Sequence, residues 1–146
     1  MTIASILEHK TSSGGDAAVA TIGPDDTVTA LIAGLAEHRC GALVVVRDGD
    51  VVGIASERDV VRRLADDGAS VLEATVSSIM TTDVRTCSGD DEVDEIAGVM
   101  TERRIRHMPV VDDGSLVGIV SIGDVVLSHI RQLEHDRGQL EQYISS

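Results

Sequence analysis

Apolar positions along this chain switch between two periods, and the switching happens twice. Residues 18–22 form a short apolar run closed by Gly23-Pro24-Asp25-Asp26, which predicts a strand ending in a turn. Over residues 27–38, Val28, Leu31, Ile32 and Leu35 follow the 3.6-residue period of a helix. Residues 42–46 are continuously apolar and predict a buried strand. Arg47-Asp48-Gly49-Asp50 then signals a tight hairpin into a second strand over 51–55, and a helix over 57–65 follows. The same order returns as a strand at 84–87, a helix at 92–103, a strand at 108–111, a turn at Asp112-Asp113-Gly114, a strand at 116–120 and a helix from Ile122. Each half reads β-α-β-β-α.

The segments outside this pattern differ. Residues 3–9 predict a short helix, 11–15 a flexible stretch, and the connection over 70–82 a short helix around 73–79. A long last helix is expected over 125–144. Its apolar residues Val126, Ile130, Leu133, Leu140 and Ile144 form a seam interrupted at Arg137, and Gly138 weakens the helix by about 1 kcal/mol. That seam has two readings: packing on its own domain, or contact with a second copy.

Shifting the chain by 65 residues aligns 21–61 with 86–126 without a gap, and 17 of the 41 aligned positions are identical. The chain is therefore an internal duplication. Two copies are too few for a solenoid, and a half of about 65 residues is marginal alone. The halves are expected to pack as a pseudo-twofold pair with ligand clefts along the axis. The expected organisation is a leading segment over 1–17, repeats over 18–69 and 83–128, a connection over 70–82, and a helical extension over 129–146.

Composition narrows the function. The 146 residues include no Phe or Trp, and Tyr143 is the only aromatic side chain. A core of branched aliphatics suits strands covered by helices, an α/β (α+β) arrangement. The net charge of −13 argues against nucleic acid and anionic membranes as partners, and the stacking platforms that single-stranded nucleic acid needs are missing. Cys40 and Cys87 lie among apolar neighbours, with no signal peptide or long apolar span. The expectation is a cytoplasmic protein with reduced thiols.

The sharpest match between the copies is Gly53-Ile54-Ala55-Ser56-Glu57-Arg58-Asp59 against Gly118-Ile119-Val120-Ser121-Ile122-Gly123-Asp124, each where a strand hands over to a helix. One reading is a capping box, in which each Ser contributes about 1 kcal/mol. The other is a ribose phosphate site: helix N–H groups and the Ser hydroxyl face phosphate, and the Asp carboxylate accepts ribose hydroxyls. Arginine placement favours the second reading. Six of the twelve basic residues (Arg58, Arg62, Arg63, Arg103, Arg104 and Arg106) fall in two short windows of an acidic chain. Arg106 and His107 lead straight into a buried strand, where Pro109 removes a backbone donor.

These features resemble the tandem cystathionine β-synthase (CBS) domain pair, or Bateman module. The resemblance rests on the β-α-β-β-α repeat, both Gly-x-x-Ser-x-x-Asp junctions, His107-Met108-Pro109-Val110-Val111-Asp112, and Ser78-Ile79-Met80-Thr81. It implies a ligand such as AMP, ADP, ATP or NAD, with S-adenosylmethionine in some members, held in clefts between the repeats and with no cofactor required. It further implies that Asp59 and Asp124 hold ribose hydroxyls, Ser56 and Ser121 face phosphate, and Thr21 and Thr86 contact the base. Arg106 and His107 match phosphate positions, while Ala42 and Met108 begin the strands lining the adenine slot. Arg58 and Pro109 complete the candidate set. A homodimer and an unidentified regulated protein are implied as partners.

The first copy has Gly41-Ala42-Leu43-Val44 where the second has Arg106-His107-Met108-Pro109, so the clefts are expected to be non-equivalent. A structural dimerisation domain with vestigial clefts is the alternative. Enzyme activity is not expected. The phosphate loop Gly-x-x-x-x-Gly-Lys and the dinucleotide motif Gly-x-Gly-x-x-Gly are absent, and His9, His38, His107, His129 and His135 show no metal-ligand spacing.

Overall fold

The computed structural model describes residues 1–12 and 19–145. The predicted strand start at Ala18, the flexible stretch beyond Ser12 and the terminal Ser146 lie outside the described residues. The first repeat comprises β1 (Thr21–Ile22), α2 (Val28–His38), β2 (Ala42–Arg47), β3 (Asp50–Ser56) and α3 (Glu57–Asp67). The second comprises α4 (Val93–Arg103), β4 (His107–Asp112), β5 (Ser115–Ser121) and α5 (Ile122–Ser145), and α1 (Ile3–Ser12) precedes both. This is the expected mixed α/β (α+β) duplication with a long C-terminal helix.

Local chemistry explains the shared elements. Thr27 caps α2, its side chain accepting from the Ala30 N–H at 3.1 Å, and Val28, Leu31 and Leu35 turn into the core. Both hairpins turn through two left-handed residues, Asp48 (φ 52°) and Gly49 (φ 84°), then Asp113 (φ 50°) and Gly114 (φ 77°). Such turns match the right-handed twist of paired strands. The register slips between Val45 and Val46 and again between Val110 and Val111, so even the bulge is duplicated. Each repeat has its own buried aliphatic cluster, around Leu31, Leu43 and Val45 in the first and Met100, Met108 and Val110 in the second.

Two expectations need correction, and a third element, left open between two readings, is narrowed. The predicted strand over 84–87 shrinks to a single parallel bridge between Cys87 and Val110. In the first copy β1 pairs over two residues, Thr21 with Val44 and Ile22 with Val45. The Cys87 N–H donates to the Pro109 carbonyl at 3.0 Å, and the Val111 N–H donates to the Cys87 carbonyl at 2.8 Å. The next bond of a parallel ladder would run from residue 109 to the carbonyl of residue 85. Pro109 has no N–H, so the ladder stops there.

The predicted helix around 73–79 is instead two 3₁₀ turns, Gly68–Glu73 and Val76–Ser78. Its backbone donors point elsewhere: Val76 N–H to the Asp26 carbonyl (2.8 Å) and Ser77 N–H to the Pro24 carbonyl (2.9 Å). A continuous α-helix would need those donors for itself. The seam on α5 is also not packed on its own domain. Val125 and Ser128 make that contact, while Leu133 and Leu140 are 67% and 63% exposed.

The duplication also reaches further than the 65-residue alignment. Met1-Thr2-Ile3-Ala4-Ser5-Ile6-Leu7 matches Ala74-Thr75-Val76-Ser77-Ser78-Ile79-Met80. The Val93 N–H donates to Met1 O at 3.0 Å, just as Val28 donates to Ala74 O at 2.9 Å. Ile3 and Val76 are fully buried, and Leu7 lies over Gly118 as Met80 lies over Gly53. A Cβ on either glycine would come within 2.8 Å of that neighbour, so a larger residue there would have to push the docked side chain aside. The segment leading into each repeat docks on the other repeat. That exchange ties the halves together and carries the end of α1 to the edge of a cleft.

Candidate functional site

Two clefts open between the repeats, and each draws on both. At each junction the strand start is tied to the following helix: Glu57 N–H donates to Gly41 O (3.0 Å), and Ile122 N–H donates to Arg106 O (2.8 Å). Those bonds fix the Ser-x-x-Asp motif beside the opening residues of β2 or β4. Residues 41–42 and 106–107 occupy equivalent positions and face one another. A Cβ on Gly41 would lie 3.1 Å from His107 Nε2. The small residue in the first copy therefore makes room for the large one in the second.

The first cleft, about 290 Å³, joins Ser56, Arg58, Asp59 and Arg62 to Asp83, Val84, Arg85, Arg104, Ile105, Arg106 and His107. The second, about 450 Å³, joins Ser121 and Asp124 to Val19, Ala20, His38, Arg39 and Cys40, with Lys10 entering from α1. Ala42 and His107 line both. Arg106 thus stands opposite the first copy's motif rather than its own.

Both motifs form the capping arrangement. In α3, Ser56 N–H donates to Asp59 Oδ2 (2.9 Å) and Asp59 N–H donates to Ser56 Oγ (3.3 Å). In α5, Ser121 N–H donates to Asp124 Oδ2 (2.9 Å) and Asp124 N–H donates to Ser121 Oγ (3.1 Å). With Glu57 N–H also taken by Gly41, few helix donors remain for a phosphate. The carboxylates keep a free edge: among the described residues, Oδ1 of neither Asp59 nor Asp124 has a hydrogen bond.

The remaining candidates separate clearly. Thr21 and Thr86 are exposed and line neither cleft; Val19, Ala20 and Asp83, Val84, Arg85 stand there instead. Met108 and Pro109 are buried within β4, and Met108 is 1% exposed in the second core. In an extended strand neighbouring side chains face opposite sides, so only one of each adjacent pair can reach a cleft. Arg85, Arg39 and Lys10 line the clefts as well, without being legible as site residues in the sequence. Arg85 and Arg39 lacked a motif around them, and Lys10 is brought in only by the exchanged leading segment.

Charge distinguishes the clefts. Among the described residues, the side chains of Arg58, Arg62, Arg85, Arg104 and Arg106 have no hydrogen bond or ion pair, and all five line the first cleft. Arg104 (φ 56°) and its counterpart Arg39 (φ 51°) end α4 and α2 in the left-handed region, where glycine is preferred. Burial lowers the pKa of His107, against the opposing pull of Asp124 and Glu57. Burial also raises the Cys40 thiol, and pushes Cys87 up to about 12 with help from Asp91 and Asp112. Both thiols are thus held in the unreactive form. Among the described residues there is no cluster of three metal-ligating side chains, and no helix is long and apolar enough to cross a membrane.

Comparison with known proteins places this geometry. The family model described as CBS domain matches residues 16–66 and 76–129. The mitochondrial CBS domain-containing protein CBSX3 of Arabidopsis thaliana is 34% identical over 98% of this chain and 71% of its own length. A putative signal-transduction protein with CBS domains from Burkholderia ambifaria superposes with a TM-score of 0.83 at 40% identity, covering 90% of this chain and 95% of that one. The CBS domain pair of protein MJ0100, in complex with 5'-methylthioadenosine and S-adenosyl-L-methionine, superposes at 0.77 with 26% identity, covering 90% and 98%. The chain belongs to the CBS-domain family and is a tandem pair.

Proposed function

We propose that this CBS pair is a ligand-responsive regulatory protein, without catalysis of its own, that binds an adenine nucleotide (AMP, ADP, ATP or NAD) at the cleft containing Asp59. One observation carries the reading: five arginines that have no hydrogen bond or ion pair among the described residues line a single cleft in a chain of net charge −13. Guanidinium groups in such numbers fit a phosphate chain, to which each donates in a planar fork. Ala42, Ile54, Val84 and Ile105 offer apolar surface for a base, and the free edge of Asp59 offers an acceptor for ribose hydroxyls. The adenosine compounds bound by the MJ0100 pair support the nucleoside part. The phosphate part rests on the arginines.

Calorimetric titration of ligand-free protein with AMP, ADP, ATP and NAD tests the reading. Micromolar or tighter binding of at least one, lost in Asp59→Ala, is the expected result. Binding no tighter than millimolar for all four would favour the second reading, a dimerisation domain with vestigial clefts. That reading draws support from α5, where Ile130, Leu133, Leu140 and Ile144 are 47%, 67%, 63% and 81% exposed. Such a row suits contact with a second copy. A homodimer fits the first reading equally well, and a regulated partner protein would then sense the bound state through it.

A further inference from the structure

The two capping carboxylates are not equally available. Among the described residues, Asp59 Oδ2 accepts only from its own cap: the Ser56 N–H and, at 3.0 Å, the Ser56 hydroxyl, whose proton can turn toward a ligand. Asp124 Oδ2 accepts from the Ser121 N–H and also from Lys10 Nζ at 3.0 Å. The same ammonium donates to the Ile119 carbonyl at 3.0 Å, so Lys10 is anchored at two points. It comes from α1, which is fixed on the second repeat by buried Ile3 and Ile6 and by Leu7 over Gly118. Continuing the match of the leading segments past Leu7 and Met80 pairs Lys10 with Asp83, which lines the first cleft. Lys10 thus brings an ammonium to the second cleft, whereas the segment after Met80 brings a carboxylate, Asp83, to the first. Lys10 and Asp124 also line a neighbouring cavity of about 270 Å³ between α1 and α5, so their ion pair partitions it from the second cleft.

We infer that Lys10 decides the order in which the clefts fill: it holds Asp124, so the first nucleotide enters at Asp59 and a second enters only when Lys10 leaves. A ribose diol that takes both carboxylate oxygens of Asp124 must compete at Oδ2 with a charge-assisted bond already made, and finds only Oδ1 open. At Asp59 it need only turn a hydroxyl. This rests on the nucleotide reading proposed above.

Lys10→Met keeps the length and apolar stem of the side chain while removing the ammonium. ATP titration of ligand-free wild-type protein should give one site, with any second site at least tenfold weaker. In Lys10→Met the second site should tighten at least tenfold, and in Lys10→Met/Asp59→Ala it should remain as a single equivalent. An unchanged or weakened second site in Lys10→Met would overturn the inference while leaving the first site in place. Absence of ATP binding in every variant would overturn the nucleotide reading and this inference with it. Since Lys10 is the only lysine, its ε-ammonium gives one NMR resonance. That resonance should move with the second equivalent of ATP; movement complete at the first would contradict the proposed order.

Discussion

The cleft at Asp59 and the cleft at Asp124 share a cap, a hairpin with the same bulge, and a strand tied to the same helix position. They differ in what the opposite repeat sends across. The first receives Arg85, Arg104, Arg106 and His107; the second receives His38, Arg39, Gly41 and Ala42, with Lys10 brought in by α1. Backbone and caps survive duplication because each repeat needs them to fold. Cross-axis residues are free to diverge, and there the clefts become different sites.

The largest test of that contrast removes charge. Arg104→Gln/Arg106→Gln should weaken ATP binding by about 100-fold, since each charge-assisted hydrogen bond is worth roughly 1.5–3 kcal/mol. Arg39→Gln, the mirror change, should cost less than about threefold. Equal losses by calorimetry would mean that the arginines do not distinguish the two clefts. Arg104→Gly separates the two roles of that residue. Glycine relieves a left-handed residue worth about 1 kcal/mol, so the midpoint of thermal unfolding should rise while ATP affinity falls about tenfold. A residue serving only the helix end would not show both effects.

Smaller effects should be symmetric. Ser56→Ala and Ser121→Ala should each cost about 1 kcal/mol in urea unfolding, because both cap in the same way. The smallest concerns acid. His107 has a lowered pKa in the folded protein, so the unfolded chain takes up its proton first as pH falls. Stability should therefore drop as pH falls below the ordinary histidine value, levelling once folded His107 is itself protonated. His107→Gln should flatten that part of the profile. An unchanged profile would remove His107 as the cause.

The repeat, the hairpins, both caps and the α/β class were legible in the sequence because each depends on residues close together in the chain. Asp48-Gly49 and Ser56-x-x-Asp59 specify their own geometry. The misread strand at 84–87 depended on a missing N–H at Pro109, more than twenty residues away, and the misread helix at 73–79 depended on acceptors at Pro24 and Asp26. The candidate site was legible at Ser56, Asp59, Arg58, Arg106, His107, Ser121, Asp124 and Ala42, all of which line a cleft. Thr21, Thr86, Met108 and Pro109 do not, since strand alternation and burial turn them away. The pairing of Arg106 with Asp59 rather than Asp124 follows from the crossing of the repeats, which no local pattern reports.

Amide NMR during titration with ATP through and beyond one equivalent tests that pairing. Resonances of Asp59, Arg85 and Arg106 should shift to completion first, with those of Ser121, Asp124 and Arg39 following only beyond one equivalent. Early shifts at Ser121 and Asp124, with Asp59 and Arg85 unmoved, would contradict it.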